Sequence, residues 1–171
     1  MIGRPLQDLL AERGHDVHTL VRRAPQKPTE HQWDPIAGVM ADDIIDRADV
    51  VVNLAGASIG KLPWTKKHKE LIMSSRRETT GTLARAIAEA SSPPQALIQG
   101  SAVGFYGDRG SEDLTEESAE GNGFLAEVVR EWEKAALPAQ SQKTRVVFAR
   151  TGLVIGRGGA LAPLRLQTAL G

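Results

Sequence analysis

Apolar and polar positions recur along this chain with two periods, one helical and one strand-like. Leu6, Leu9 and Leu10 share one helical face and predict a helix over 5–13, with Pro5 in its first turn and Gly14 as its C-cap. Residues 16–21 (DVHTLV) follow as a strand. The polar, Pro-containing stretch 24–38 reads as a loop with one short strand ending at Trp33-Asp34-Pro35. Residues 49–54 (DVVVNL) form a nearly unbroken β-branched run, the pattern of a parallel strand covered on both faces. Leu71, Ile72, Ser75, Thr79, Leu83 and Ile87 then recur at helical spacing and predict a long helix over 65–90, stopped by Ser91-Ser92-Pro93-Pro94. Residues 96–101 (ALIQGS) read as the next strand, and Phe124, Leu125, Val128, Val129 and Trp132 stripe a helix over 124–136. Residues 145–155 are the last clear strand, and 160–170 open a further helix.

Strands alternating with helices imply a parallel sheet built by right-handed crossovers. The predicted class is α/β, a doubly wound parallel sheet of the Rossmann type, with 1–171 forming one nucleotide-binding domain. A dinucleotide fold opens with a strand, a glycine-rich turn and then a helix. Here a helix arrives at once, and Gly3 stands where the third glycine of that turn belongs. The expectation is that the first strand and a C-terminal substrate domain are missing. Residues 16–21 and 49–54 are then expected to flank a vacant central position.

Composition narrows the classes of partner. The chain of 171 residues carries 21 basic and 21 acidic side chains, so no basic excess points to nucleic acid or an anionic membrane. It has no cysteine, which excludes disulfides, thiolate metal sites and cysteine nucleophiles. No apolar run approaches the roughly 20 residues of a membrane-spanning helix, and the N-terminus lacks a signal-peptide apolar region. A cytoplasmic protein is expected. His15, His18, His31 and His68 show no ligand spacing with carboxylates, and the acidic stretch 112–117 reads as a solvated loop, so no metal site is expected.

Candidate chemistry lies at the strand ends. Asn53-Leu54-Ala55-Gly56 closes a buried strand with small residues, which lets a ligand approach the backbone. Arg22 and Arg23 follow Val21, where an acidic residue would bind the ribose of NAD and an arginine suits the 2′-phosphate of NADP. Arg76, inside the long helix, has three readings from spacing: it reaches the cofactor, pins a neighbouring loop, or pairs with a nearby glutamate. Ser101 ends the ALIQGS strand, where a hydroxyl can donate to a substrate oxygen. Gly156 to Gly159 resemble a phosphate cradle without its lysine, and 56–61 is one residue short of a P-loop with Leu62 where Ser or Thr should stand. Both are rejected.

Together IGRPL, RGHDVHTLVRR, WDP, DVVVNLAG, SSRRETT, SAVGFYGDRG, LTEES, FLAEVVREWE and RTGLVIGRGG closely resemble the small epimerase-family proteins of the extended short-chain dehydrogenase/reductase superfamily. The resemblance implies NADP as cofactor and an unspecified small molecule as substrate. It places Val21 and Arg22 at the adenosine end, Leu54 and Ala55 along the pyrophosphate and ribose, Arg76 with Leu71 one turn earlier in the cofactor region, and Val154 near the nicotinamide. Ser101 matches the strand-end serine that assists catalysis. One departure stands out. The superfamily's Tyr-x-x-x-Lys pair has no counterpart, because the only tyrosine is Tyr106, Gly110 stands four residues on, and the later helix reads FLAEVV. Tyr106 or Asp108 is left as a substitute acid, with nothing in the sequence selecting between them. Two readings follow: an NADP-dependent oxidoreductase or epimerase, and a non-catalytic NADP-binding module.

Overall fold

The computed structural model describes residues 2–40, 43–60 and 62–155. Helix α1 (Gly3–Glu12) starts two residues before the expected position and ends at Arg13. Gly14 follows with φ of 82°, the left-handed conformation that a glycine cap takes without steric cost. Strand β1 (Thr19–Val21) pairs in parallel with β2 (Glu30–Asp34), which pairs antiparallel with β3 (Val39–Met40). β1 is shorter than residues 16–21. Asp16 and His18 instead start a side-chain chain, with His18 Nδ1 lying 2.7 Å from Nε2 of His31 on β2.

The second group of strands is β4 (Val50–Asn53), β5 (Ala96–Ala102) and β6 (Arg145–Thr151), all parallel in the order β4-β5-β6. β6 stops four residues before the predicted end. Its last partner is Ala102, the last residue of β5, so the ladder has nothing left to bind. β1 and β4 share no ladder, and among the described residues the strands therefore stand as two three-stranded groups.

Helix α2 (Lys66–Glu89) joins those halves. Thr65 caps it by accepting the His68 N–H at 3.2 Å, and the chain turns extended at Ala90 before the two prolines. Its Leu83, Ala84 and Ile87 form one core with Trp33 of β2, Ile44 and Ile45 ahead of β4, and Leu97 of β5. Thr82 Oγ1 also donates to the Pro35 carbonyl at 3.0 Å, linking the helix to the end of the first half. Each such large apolar side chain contributes about 1.5–3 kcal/mol on burial. The core thus holds together two groups of strands that, among the described residues, no backbone hydrogen bond connects.

The expectation that 49–54 is covered on both faces is corrected. Val51 packs on the core and Asn53 is buried, while Val50 and Val52 are 49% and 39% exposed. Strand alternation turns those two valines away from α2, which covers one face only. Helix α3 (Phe124–Ala136) packs beside α2 and buries Val128, Val129, Trp132 and Ala136. Short 3-10 turns follow β5 (Val103–Tyr106) and α3 (Leu137–Ala139). The helix expected over 160–170 lies outside the described residues.

Candidate functional site

The end of β4 rests on a buried polar network. Asn53 Nδ2 donates to Thr80 Oγ1 and to Gln99 Oε1, each at 3.0 Å, and Trp132 Nε1 donates to the same Thr80 oxygen at 3.0 Å. Asn53 Oδ1 accepts the Ala55 N–H at 3.1 Å, and Gln99 Nε2 donates to the Gly100 carbonyl at 2.9 Å. Such a network is stable in a core because each member finds a partner. It connects β4, β5, α2 and α3 and sets the direction in which the chain leaves β4.

The loop after β4 is held from behind. Ser75 Oγ accepts the Ala57 N–H at 3.0 Å, and Arg76 Nη1 donates to the Ala57 and Ile72 carbonyls, each at 3.1 Å. The Arg76 guanidinium lies 4.8 Å from the Trp132 ring centroid, and burial pushes its pKa below the ordinary arginine value. This geometry has Arg76 pinning the neighbouring loop, one of its three readings. Leu54 and Gly56 are exposed and Ala55 is half-buried, so Leu54 and Ala55, expected along the pyrophosphate and ribose, form an accessible rim with Gly56. Leu71 is exposed one turn before Ser75.

At the end of β1 the two arginines differ. Arg23 is bidentate to Glu30 at 2.7 and 2.8 Å and donates to the Ala24 carbonyl. The Arg23 guanidinium, with the Gln26 N–H, holds the Glu30 carboxyl down at about 2. Arg22 is exposed and makes no ion pair or hydrogen bond among the described residues, beside a half-buried Val21. Gly3 is the first residue of α1, with nothing within 4 Å of where a Cβ would stand.

Ser101 and Tyr106 are brought together, though through two residues given no role from sequence. Ser101, 3% exposed, donates to Glu133 Oε1 at 2.6 Å. Arg150 grips that carboxylate through Nε and Nη2, both at 2.8 Å, and its Nη1 donates to the Tyr106 hydroxyl at 3.0 Å. Nη1 also reaches the Glu116 carbonyl at 3.2 Å, and the guanidinium stacks 3.6 Å from the Phe105 ring centroid. Hydrogen bonding to Glu133 raises the Arg150 pKa above its ordinary value. The Ser101 hydroxyl is thus committed to Glu133 inside the protein, rather than turned to an open cleft. Tyr106 and Arg150 line a cavity of about 430 Å³ with Val103, Leu114, Thr115 and Phe148. Asp108 is exposed and caps its own turn, accepting the Gly110 N–H at 3.1 Å. Val154 is half-buried just past β6.

Glu133 and Arg150 carry signals that period analysis can find. Glu133 lies beside Trp132 on the buried side of α3, and Arg150 shares a β6 face with Val146 and Phe148. A charge at a core-facing position calls for a partner. Among the described residues no group of His, Asp and Glu is placed to hold a metal, and no helix is long and apolar enough to cross a membrane.

Parallel strands with helical crossovers, and a small-residue rim where β4 ends, define a Rossmann-type α/β protein. The chain belongs to the NAD dependent epimerase/dehydratase family, which it matches over residues 1–169. An epimerase family protein of Mycobacterium leprae is 39% identical over 166 residues, covering 96% of this chain and 53% of that protein. Among solved structures, human epimerase family protein SDR39U1 (isoform 2) with NADPH is similar at a TM-score of 0.85 and 34% identity, covering 100% of this chain and 57% of that one. A nucleoside-diphosphate sugar epimerase of Corynebacterium glutamicum is similar at 0.84 and 46% identity, covering 100% and 36%. The chain spans about half the length of the curated relatives it matches.

Proposed function

We propose that this chain supplies the cofactor-binding half of an NADP-dependent oxidoreductase or epimerase of the short-chain dehydrogenase type, acting on a small molecule. The observation that carries the choice of NADP is the contrast at the end of β1. Arg23 is engaged by Glu30, whereas Arg22 is exposed and without a partner among the described residues. An exposed guanidinium without a partner among the described residues, where the adenosine ribose would sit, favours a 2′-phosphate. The NADPH held by the similar human protein supports this reading. Val21 and Arg22 would hold the adenosine end, Leu54, Ala55 and Gly56 the pyrophosphate and ribose, Gly3 the turn before α1, and Val154 the nicotinamide side. Leu71 would border the same region from α2. When bound, NADPH would supply a hydride or NADP+ would accept one, and this chain would bind and orient the cofactor.

The second reading, a non-catalytic NADP-binding module, draws on two observations. The Ser101 hydroxyl is tied to Glu133, and α3 carries no Tyr-x-x-x-Lys pair. Tyr106, at the cavity and bonded to Arg150, is a candidate acid for the first reading.

Titrating NADPH and NADH against the wild type and Arg22→Ala tests the cofactor choice. A hydrogen bond to a charged group is worth about 1.5–3 kcal/mol, so Arg22→Ala should lose NADPH affinity by about tenfold or more while NADH affinity holds. Equal affinities for the two cofactors in the wild type would overturn the NADP assignment.

A further inference from the structure

We infer that the cavity at Tyr106 is a binding site for an uncharged carbonyl compound, whose oxygen accepts the Tyr106 proton. This rests on the reading that the chain acts on a small molecule, and it names the chemical class. The phenol oxygen accepts from Arg150 Nη1 at 3.0 Å, so its own hydrogen points away from that guanidinium. Among the described residues no acceptor receives that hydrogen. A buried donor without a partner is costly. Tyr106 is 6% exposed and meets open space where it lines the cavity of about 430 Å³. That volume lies within the range of small-molecule pockets, and Val103, Leu114 and Phe148 supply apolar walls. What the site offers is a hydrogen, which suits an oxygen that only accepts.

Charge at the site selects against anions. A guanidinium carries five N–H groups. Arg150 commits Nε and Nη2 to Glu133, and Nη1 to Tyr106 and to the Glu116 carbonyl. The buried Glu133 carboxylate matches its charge at 2.8 Å. An entering carboxylate or phosphate would therefore find one uncommitted N–H of Nη2 and no net positive charge. Glu116 belongs to the cavity wall and is exposed, as is Glu117 after it, which adds negative charge on the solvent side. An uncharged oxygen meets no such repulsion.

Tyr106 is the only tyrosine of the chain, so tyrosine isotopically labelled at Cζ gives one NMR resonance that reports this hydroxyl. The probes are cyclohexanone and cyclohexanecarboxylate, which share a ring and differ in charge, added to the full chain with and without NADPH. Cyclohexanone should move the resonance saturably, and the carboxylate should bind about tenfold more weakly or worse. Tyr106→Phe, followed on the ligand by saturation-transfer NMR, should weaken cyclohexanone binding by about threefold to tenfold, the scale of one neutral hydrogen bond. Glu133→Gln leaves the guanidinium charge unmatched and should raise carboxylate affinity by about tenfold, with ketone affinity unchanged. Leu114→Trp, at an exposed wall residue, fills the cavity without touching the buried pair and should abolish the cyclohexanone shift. It keeps the test open if Glu133→Gln does not fold. No saturable shift with cyclohexanone, equal wild-type affinity for both probes, or cyclohexanone binding that survives Leu114→Trp would overturn the inference. NADPH consumption is followed separately. Cyclohexanone that binds without oxidising NADPH supports the site and counts against the oxidoreductase reading, whereas NADPH oxidation with no Tyr106 shift refutes the site.

Discussion

Replacing Arg150 with methionine keeps most of the side-chain volume and removes the charge that organises the end of β6. Glu133, whose side chain is 10% exposed, would be left with the Ser101 hydroxyl as its partner, and the Tyr106 hydroxyl would lose its donor. Removing one member of a buried ion pair costs about 3–5 kcal/mol, because the remaining charge stays buried and uncompensated. Arg150 is 17% exposed and borders the cavity, so water can reach part of the vacated space and the cost should fall near the lower end. Taking about 3 kcal/mol, and about 2–4 °C per kcal/mol for a chain of this size, the midpoint of thermal unfolding should drop by about 6–12 °C. Circular dichroism at fixed pH and salt measures it. The companion variant, Glu133→Leu with Arg150→Met, should recover most of the loss, since replacing both charges by apolar groups removes the stranded carboxylate. A drop below about 2 °C in the single variant would refute the argument. So would a double variant less stable than the single one, because the carboxylate would then not be what makes the arginine necessary.

Glu30 should titrate at about 2, and Arg23→Ala should return it toward the usual carboxylate value near 4.3. A depressed carboxyl stabilises the fold above its unfolded value and loses that contribution as pH falls toward 2; carboxyl NMR titration of both proteins measures it, and equal midpoints would contradict the pairing. Tyr106→Phe should leave NADPH affinity unchanged and lower turnover on carbonyl compounds by about 100-fold or more, the scale of a lost general acid. Unchanged turnover would remove Tyr106 from the chemistry.

The helices and most strands were legible from a local pattern, whereas the two-residue β3 was not. The stripe of α3 follows from burial on one side of a helix and the β-branched run of β4 from strand preference, and both are written locally, although the run does not reveal that one face alone is covered. Gly14 and Thr65 mark helix ends because a left-handed cap and a hydroxyl cap each demand a particular residue type. The ends of β1 and β6 were less legible. A strand stops where its partner stops, and the partner of Thr151 is Ala102, 49 positions earlier in the chain.

For the site, residue type alone marked Arg22, the rim at Leu54, Ala55 and Gly56, and Arg76, but not what each side chain does. That Arg23 rather than Arg22 is engaged depends on Glu30, which arrives on the neighbouring strand through the β1–β2 pairing. That Arg76 donates to the Ala57 carbonyl depends on how close the β4–α2 loop passes to the helix. Ser101 reads as a strand-end donor until α3 brings Glu133 within 2.6 Å of it, 32 residues away in sequence. Local pattern thus determined the class of fold, because burial periods and capping are short-range properties of the chain. Tertiary structure alone decided the partners of its charged and polar side chains, because hydrogen bonds and ion pairs join whatever packing brings to within about 3 Å.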